Sequence, residues 1–333
     1  MKSFKGGRRQ QRGVALIIAL ILVALATVLA TKLSFDGFLE LRRTTTMMAA
    51  EQALHFGLGA EALAADVLMQ DAQTNAQYTT LAGPWAQPTQ PLPITPDNNP
   101  EGEPIGTMQG VLEDMQGRFN LNSLARLGTD GLEDPLPLLQ FQRLLVSVGV
   151  EPKWAGLARD WLDQDDTVGN PDGAEDAVYT SQTPPYRTAN WPMMSPTELM
   201  NLPGFGADRY RKIAPYVTAL PNANLKINVC TAPALVLESI VEGLNGEWSN
   251  SPAVLANGRK TGCFPDVQTF TNVATSFAGP TAMAKAGSQI GTQSSYFQLT
   301  TRVTLGTTEF TLYSLLVRGQ TKVTPLLRSF GTL

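Results

Sequence analysis

The sequence predicts an α+β chain in which a long N-terminal helix and a short extended segment precede a helical stretch, with strands returning at the C-terminus. Three patterns carry that expectation. Residues 14–71 contain no proline and repeat apolar side chains at three- and four-residue steps. Leu138, Phe141, Leu144, Leu145 and Val148 keep helical spacing in the middle of the chain. Phe297, Leu299, Thr301, Val303 and Leu305 alternate with polar neighbours near its end. With 333 residues, 43% apolar and 16% charged, the chain can bury two or three cores, which excludes a mostly disordered or polytopic membrane protein.

The N-terminal helix starts in an unusual context. Val14 to Thr31 is an 18-residue run without a charge, preceded by Lys2, Lys5, Arg8, Arg9 and Arg12, so the chain begins with a targeting or membrane signal. Beyond residue 13 the chain holds 20 basic against 29 acidic groups, or −9, a charge that repels phosphate backbones. Two cleavage readings fit. In one, Val14 to Val23 is the apolar region of a secretory signal and Ala24-Leu25-Ala26 its cleavage site. In the other, a short basic prepilin-type leader ends at Gly13 and the apolar helix stays as a membrane anchor. The second reading explains why glycine separates Arg12 from Val14 and why helix-compatible sequence continues past Lys32 as far as Pro84. An apolar stripe running from Leu33 through Met47, Met48, Phe56 and Leu63 to Leu68 extends that helix to about residue 70. From Val14 to Asp71 it would measure roughly 85 Å, and the basic flank places the body on the periplasmic side.

Seven prolines between residues 84 and 104 end the helix and predict a surface connection. Ile105 to Phe119 reads as extended, hairpin-like sequence punctuated by Gly106, Gly110 and Gly117. Helical patterning then runs from about Asn120 to Ala219. Phe119-Asn120-Leu121-Asn122-Ser123-Leu124 and Ile227-Asn228-Val229-Cys230-Thr231-Ala232 look like two versions of one motif, an Asn three residues before a Ser or Thr able to cap a helix. Leu202-Pro203-Gly204-Phe205-Gly206 is similar to the hairpin of helix-hairpin-helix DNA-binding modules. An acidic body outside the cytoplasm argues instead for a tight helix connection, with Ser195 and Glu198 as a capping box.

The richest chemical signal lies between Asp163 and Asp176, with six carboxylates and two glycines in 14 residues. Such like charges repel unless a cation neutralises them, and an oxygen-only ligand set favours calcium. The spacing is not that of an EF-hand, because Val168 and Ala174 occupy the positions of the required glycine and glutamate. The alternative is a solvated acidic loop. Trp154, Trp161, Tyr179, Tyr186 and Trp191 surround it as local core or a small interaction surface. His55 is the single histidine, which excludes catalytic or zinc sites that need two imidazoles. Cys230 and Cys263 enclose 32 residues; in an oxidising compartment their pairing would stabilise the body by roughly 3 to 4 kcal/mol, and free thiols are the alternative. At the C-terminus, Gly306-Thr307-Thr308 supplies a turn before a second strand from Phe310 to Val317, and Val323 to Leu327 adds a third.

Arg12-Gly13, the helix Val14-Ala15-Leu16-Ile17-Ile18-Ala19-Leu20-Ile21 and the acidic stretch resemble the minor pseudopilin K family of bacterial type II secretion systems. Pilin-like proteins generally carry glutamate at the fifth mature position; here Ile18 stands there, a departure shared with the K family and suited to a subunit with no neighbour above it. The resemblance implies a pilin-like fold with a long N-terminal helix, a small antiparallel sheet and a large inserted α-helical domain. It implies a leader at residues 1–13, a transmembrane helix at 14–31, periplasmic helix and first strands at 32–118, the insert at 119–220 and the remaining strands at 221–333. Members of the family bind calcium near a sequence matched here by Gly173-Ala174-Glu175-Asp176, which points to Asp163, Asp165, Glu175 and Asp176 as ligands, joined by Asp166 and Asp172.

The reading is therefore a non-enzymatic assembly protein, cleaved between Gly13 and Val14 by prepilin peptidase and N-methylated at Val14. It sits in the inner membrane by a single span with its body in the periplasm. The resemblance implies assembly with minor pseudopilins I and J, other pseudopilins and the inner-membrane secretion platform, in a tip complex that initiates and caps the pseudopilus. No nucleic acid is expected. Two rivals remain: an exported hydrolase that uses a pair of the loop carboxylates as acid and base, and a calcium-stabilised periplasmic binding module.

Overall fold

The computed structural model describes residues 12–87, 89–96, 102–128, 131–132, 134–170, 172–240, 267–278, 283–284 and 286–331. Helix α1 (Arg12–Thr74) has 63 residues, roughly 95 Å at the usual rise. Its two halves meet different surroundings. Every residue from Val14 to Met48 is exposed, and the helix contains a window apolar enough to cross a membrane, none of it buried. From Ala53 onward one face turns inward through Ala53, Gly57, Ala60, Glu61, Ala64, Leu68 and Asp71, a helical repeat of three and four.

That face is not the expected stripe of large side chains, since Met47, Met48, Phe56 and Leu63 are all exposed. Small residues take the inward positions because the helix lies close to the sheet. A Cβ added to Gly57 would stand 3.2 Å from Leu312 Cδ2.

Nine strands occur among the described residues: β1 (Leu92–Ile94), β2 (Gly106–Asp114), β3 (Phe119–Asn120), β4 (Val217–Thr218), β5 (Ile227–Asn228), β6 (Ile290–Gly291), β7 (Tyr296–Leu305), β8 (Thr308–Arg318) and β9 (Val323–Phe330). Five form one antiparallel sheet in the order β1-β2-β7-β8-β9. The period-two pattern of β7 buries Phe297, Leu299, Val303 and Leu305, which pack with Ala53, Ala64 and Leu68 of α1. β8 starts at Thr308, directly opposite Leu305, so the hairpin loop is the two residues Gly306 and Thr307. Gly306 has φ +55° there, a conformation that favours glycine. The expected third strand runs three residues further, to Phe330.

Two expectations are corrected in this region. Residues 105–119 do not form a hairpin of their own; β2 is a single strand whose hairpin partner is β1, inside the proline-rich connection. Pro93 is tolerated because β1 is an edge strand, where a missing N–H breaks no ladder on the open side. The insert is also longer than 119–220. The described residues between β2 and β7 lie outside the five-stranded sheet, and those beyond 220, among them Val229, Val236, Leu237, Phe270 and Ile290, share one buried cluster with Phe119, Phe141, Leu144 and Leu145. The helices of the insert among the described residues are α2 (Pro135–Ser147), α3 (Trp154–Asp160), α4 (Asp176–Tyr179), α5 (Gly206–Ile213), α6 (Ala234–Ser239) and α7 (Val267–Ala278).

The two asparagine motifs do share one local geometry. Asn120 Oδ1 accepts from the Asn122 amide at 3.3 Å, and Asn228 Oδ1 from the Cys230 amide at 2.9 Å. Each begins at a parallel two-residue bridge, β3 with β4 and β5 with β6. In the first motif the asparagine itself is the cap and Ser123 donates back to the Asn120 carbonyl at 2.6 Å; in the second Asn228 starts a turn and Thr231 gives its hydroxyl proton to Asp114.

Insert and sheet meet at a buried polar junction. Asp114, the last residue of β2, accepts from the Gln116 amide at 2.8 Å, Asn228 Nδ2 at 3.0 Å, Thr231 Oγ1 at 2.5 Å and Ser294 Oγ at 2.6 Å. Burial pushes its carboxyl up against the pull of those four bonds. Arg318, at the end of β8, donates to Thr79 Oγ1 at 2.6 Å, the Ser294 carbonyl at 2.7 Å and Asp71 Oδ2 at 3.3 Å. A second clamp holds α1 to the other side of the sheet: Arg328 grips both oxygens of Glu61 at 2.9 and 2.7 Å, with Ser314 Oγ adding a bond at 2.7 Å.

Asp114→Ala should cost about 3 kcal/mol in denaturant unfolding of the detergent-solubilised full chain, because three side-chain donors lose a buried acceptor. Glu61 is held below its ordinary 4.5 chiefly by Arg328. Its contribution is present above that value and lost as pH falls through the lowered range. Glu61→Gln should therefore lower the melting temperature at neutral pH and flatten its decline in acid.

Candidate functional site

The acidic loop leaves the end of α3 and returns at α4. Asp160 closes α3 with no exposed surface, and Glu175, immediately before α4, is 4% exposed. Carboxylate oxygens of Asp160, Asp163 and Glu175 all lie within 4.8 Å of one another. Both oxygens of Glu175 are buried and accept no hydrogen bond, a costly state for a carboxylate unless a cation sits against it. Burial, then the charges of Asp160, Asp163, Asp165 and Asp166, push Glu175 up to about 7.

Glycines make the convergence possible. A Cβ on Gly169 would stand 2.5 Å from Asp160 Oδ1, and one on Gly173 would stand 2.2 Å from Asp160 Oδ2. The Gly169 amide donates to Asp160 Oδ2 at 2.9 Å. Asp172 takes φ +67° to turn the chain between them.

The six carboxylates expected as ligands thus divide. Asp163 and Glu175 converge. Asp165 accepts from the Thr167 amide at 2.7 Å, and Asp166 from Asn190 Nδ2 at 3.4 Å; both contribute charge to the site. Asp176 is engaged elsewhere, accepting from the amide and hydroxyl of Thr188 at 3.1 and 3.0 Å and pairing with Arg187 at 3.5 Å. Asp160 was not anticipated, because the acidic window was read from Asp163 onward. Its i, i+3 spacing from Asp163 was the available signal. Asn190, at φ +44° with a buried Oδ1 that accepts nothing, borders the same loop. All these donors are oxygens, and a hard divalent cation of calcium type fits them.

Aromatic residues form the floor. Tyr179 is fully buried between Trp161 and Tyr186, at centroid distances of 5.3 and 5.5 Å, and burial raises its phenol. Trp191 is exposed. The Leu202–Gly206 hairpin is structural in its contacts: Ser195 and Glu198 form the capping box, Phe205 is buried edge-on against Trp154 at 5.3 Å, and Arg209 is held by Glu151 at 2.9 Å. Cys230 is fully buried, whereas Cys263 and most of the leader lie outside the described residues.

A membrane-compatible helix docked on an antiparallel sheet that is interrupted by a helical insert defines a pilin-like subunit of elaborated type. Residues 117–222 match the family model for type II secretion system (T2SS), protein K. The type II secretion system protein K of Pseudomonas aeruginosa is 34% identical over 334 residues, covering 97% of this chain and 94% of that protein. The protein of the same name from Aeromonas hydrophila is 36% identical over 233 residues, 67% of this chain and 68% of that one. A chain in the crystal structure of the GspK-GspI-GspJ complex from the enterotoxigenic Escherichia coli type 2 secretion system superposes with a TM-score of 0.75 at 27% identity. That likeness covers 87% of this chain and 100% of the other. The chain belongs to the type II secretion system protein K family, and it is a minor pseudopilin.

With Glu175 raised to about 7, the cation-free fold keeps its full stability below the ordinary 4.5 and loses it as pH rises through 7. The melting temperature without divalent cations should therefore be lower at pH 8 than at pH 5. Glu175→Gln should remove most of that slope in calorimetric scans.

Proposed function

We propose that the protein belongs to the tip complex of the type II secretion pseudopilus, where it assembles with minor pseudopilins I and J and initiates and caps the filament. The observation that supports this best is the division of α1. Its first half is exposed throughout and carries no charge from Val14 to Thr31, while its second half is fastened to a body enlarged by the insert. Such a helix needs other helices or lipid around it, and close side-chain packing rather than water exclusion would hold it among them. The E. coli relative was solved together with I and J, which favours the same partners here. A bulky insert on the body suits a position where no further subunit adds.

On this reading prepilin peptidase cuts between Gly13 and Val14, Val14 is N-methylated, and residues 14–31 anchor the chain in the inner membrane with the body in the periplasm. Ile18 at the fifth mature position leaves no carboxylate to pair with the amine of a subunit above. The inner-membrane platform and the other pseudopilins would then contact the helix. A calcium ion held by Asp160, Asp163 and Glu175, with Asp165 and Asp166 near it, would offset two of the five negative charges and hold the end of α3 to the start of α4. Its role is structural: it permits five carboxylates to share one loop. Cys230 is held in a disulfide, and the sequence contains one other cysteine, Cys263, so we assign the pair to these two.

N-terminal sequencing and mass analysis of membrane-extracted protein should find a methylated Val14. A start at Thr27 would replace this reading with a free exported protein. Calcium titration of the full chain in detergent should release heat at pH 8 and weaken towards pH 6 as a proton competes at Glu175. Absence of heat at both values would remove the ion from the proposal.

A further inference from the structure

A second built site lies away from the acidic loop, between the two asparagine motifs. It is a cavity of about 20 Å³ with mixed walls, Phe119 and Leu220 among the apolar ones, room for one water-sized atom or a small ion. Asn120 and Ser123 of the first motif line it, Lys226 adjoins the second, and Gln289 lies just before β6. Arg118, Arg126, Gln116 and Gln140 complete the polar lining, and none of the lining residues is an aspartate or glutamate. In a body whose charge is strongly negative, that composition is notable chemically: three cations and no anion face one small volume.

The hydrogen-bond inventory points the same way. Gln289 is 4% exposed, and its Nε2 is buried without an acceptor. The neighbouring asparagine cannot supply one. Asn120 Oδ1 already accepts from the Leu220 amide at 2.9 Å and the Asn122 amide at 3.3 Å, and its Nδ2 donates to the carbonyls of Leu220 and Asn222. Arg126 gives Nε and one Nη to Asp134, at 2.9 and 2.5 Å, and Arg118 gives one Nη to Glu113 at 3.3 Å. Each guanidinium keeps further N–H groups beyond those bonds. Gln116 Oε1 is likewise taken, by the Ser295 amide at 2.6 Å, which leaves Gln140 and Ser123 as side-chain oxygens on the lining against Gln289 Nε2, Lys226 and the remaining guanidinium N–H groups. An anion reverses that imbalance, and the volume restricts it to a halide or the end of a carboxylate.

We infer that this cavity binds a small monovalent anion, chloride- or carboxylate-sized, which accepts from Gln289 Nε2 and is held by Arg118, Arg126 and Lys226. Occupancy would join the two motifs that start the two halves of the insert. It would do so independently of any cation in the acidic loop.

The test is thermal unfolding of the full chain in detergent at one fixed ionic strength, in sodium chloride, sodium formate and sodium isethionate. At ten times its dissociation constant a bound anion should raise the melting temperature by about 3 °C over the bulky sulfonate. Gln289→Leu and, separately, the exposed Lys226→Gln should each reduce that increment. Protection by chloride identifies a halide; protection by formate alone identifies a carboxylate as the ligand. Crystals grown in bromide should show an anomalous peak within hydrogen-bonding reach of Gln289 Nε2 in the first case. Equal melting in all three salts, with only a water at Gln289, would overturn the assignment.

Discussion

Asp114 and Arg318 bind together every part of the body that could otherwise move apart. Asp114 marks the point where the chain leaves the sheet, and Ser294, one of its donors, the point where it returns. Asn228 and Thr231 reach the same carboxylate from inside the insert, while Arg318 carries the network to Asp71 at the end of α1. Polar groups this deeply buried are expensive unless every partner is present. The junction therefore admits one arrangement of helix, sheet and insert. A long insertion between neighbouring strands would otherwise be a hinged appendage; here it shares buried hydrogen bonds with the sheet.

The same economy governs α1. A sheet can approach a helix closely only where side chains are short, so Ala53, Gly57, Ala60 and Ala64 face it. Larger residues are left for the outer surface, continuous with the fully exposed half that precedes Ala49. Glu61 and Asp71 are charges admitted to the inward face because Arg328 and Ser314 satisfy the first and Arg318 the second. One helix thus has two environments, one built by its own sheet and one that must come from a membrane or from other helices.

Much of this was legible in the chain. Helical continuity over residues 14–71, the three C-terminal strands and the capping box at Ser195 all follow from local rules of spacing and charge. The misses share a cause. β1 is three residues inside a proline-rich segment and becomes a strand only because β2 lies beside it. The stripe of large residues on α1 marked the wrong face because periodicity measures hydrophobicity, not how near the sheet lies. Asp160 joined the carboxylate cluster through the turn made by Gly169 and Gly173, while Asp176, inside the acidic window, turned to Thr188.

By itself the sequence determined the class of structure, the membrane-compatible anchor, the family resemblance and the residue types available for a cation, because these depend on composition and short-range order. Tertiary structure alone decided the full extent of the insert, which carboxylates converge, and where the buried polar junction forms. The junction depends on contacts between residues a hundred or more positions apart, such as Asp114 with Asn228 and Asp71 with Arg318, and the carboxylates meet through the backbone turn at Gly169 and Gly173. No local pattern encodes which distant donor will meet a buried acceptor.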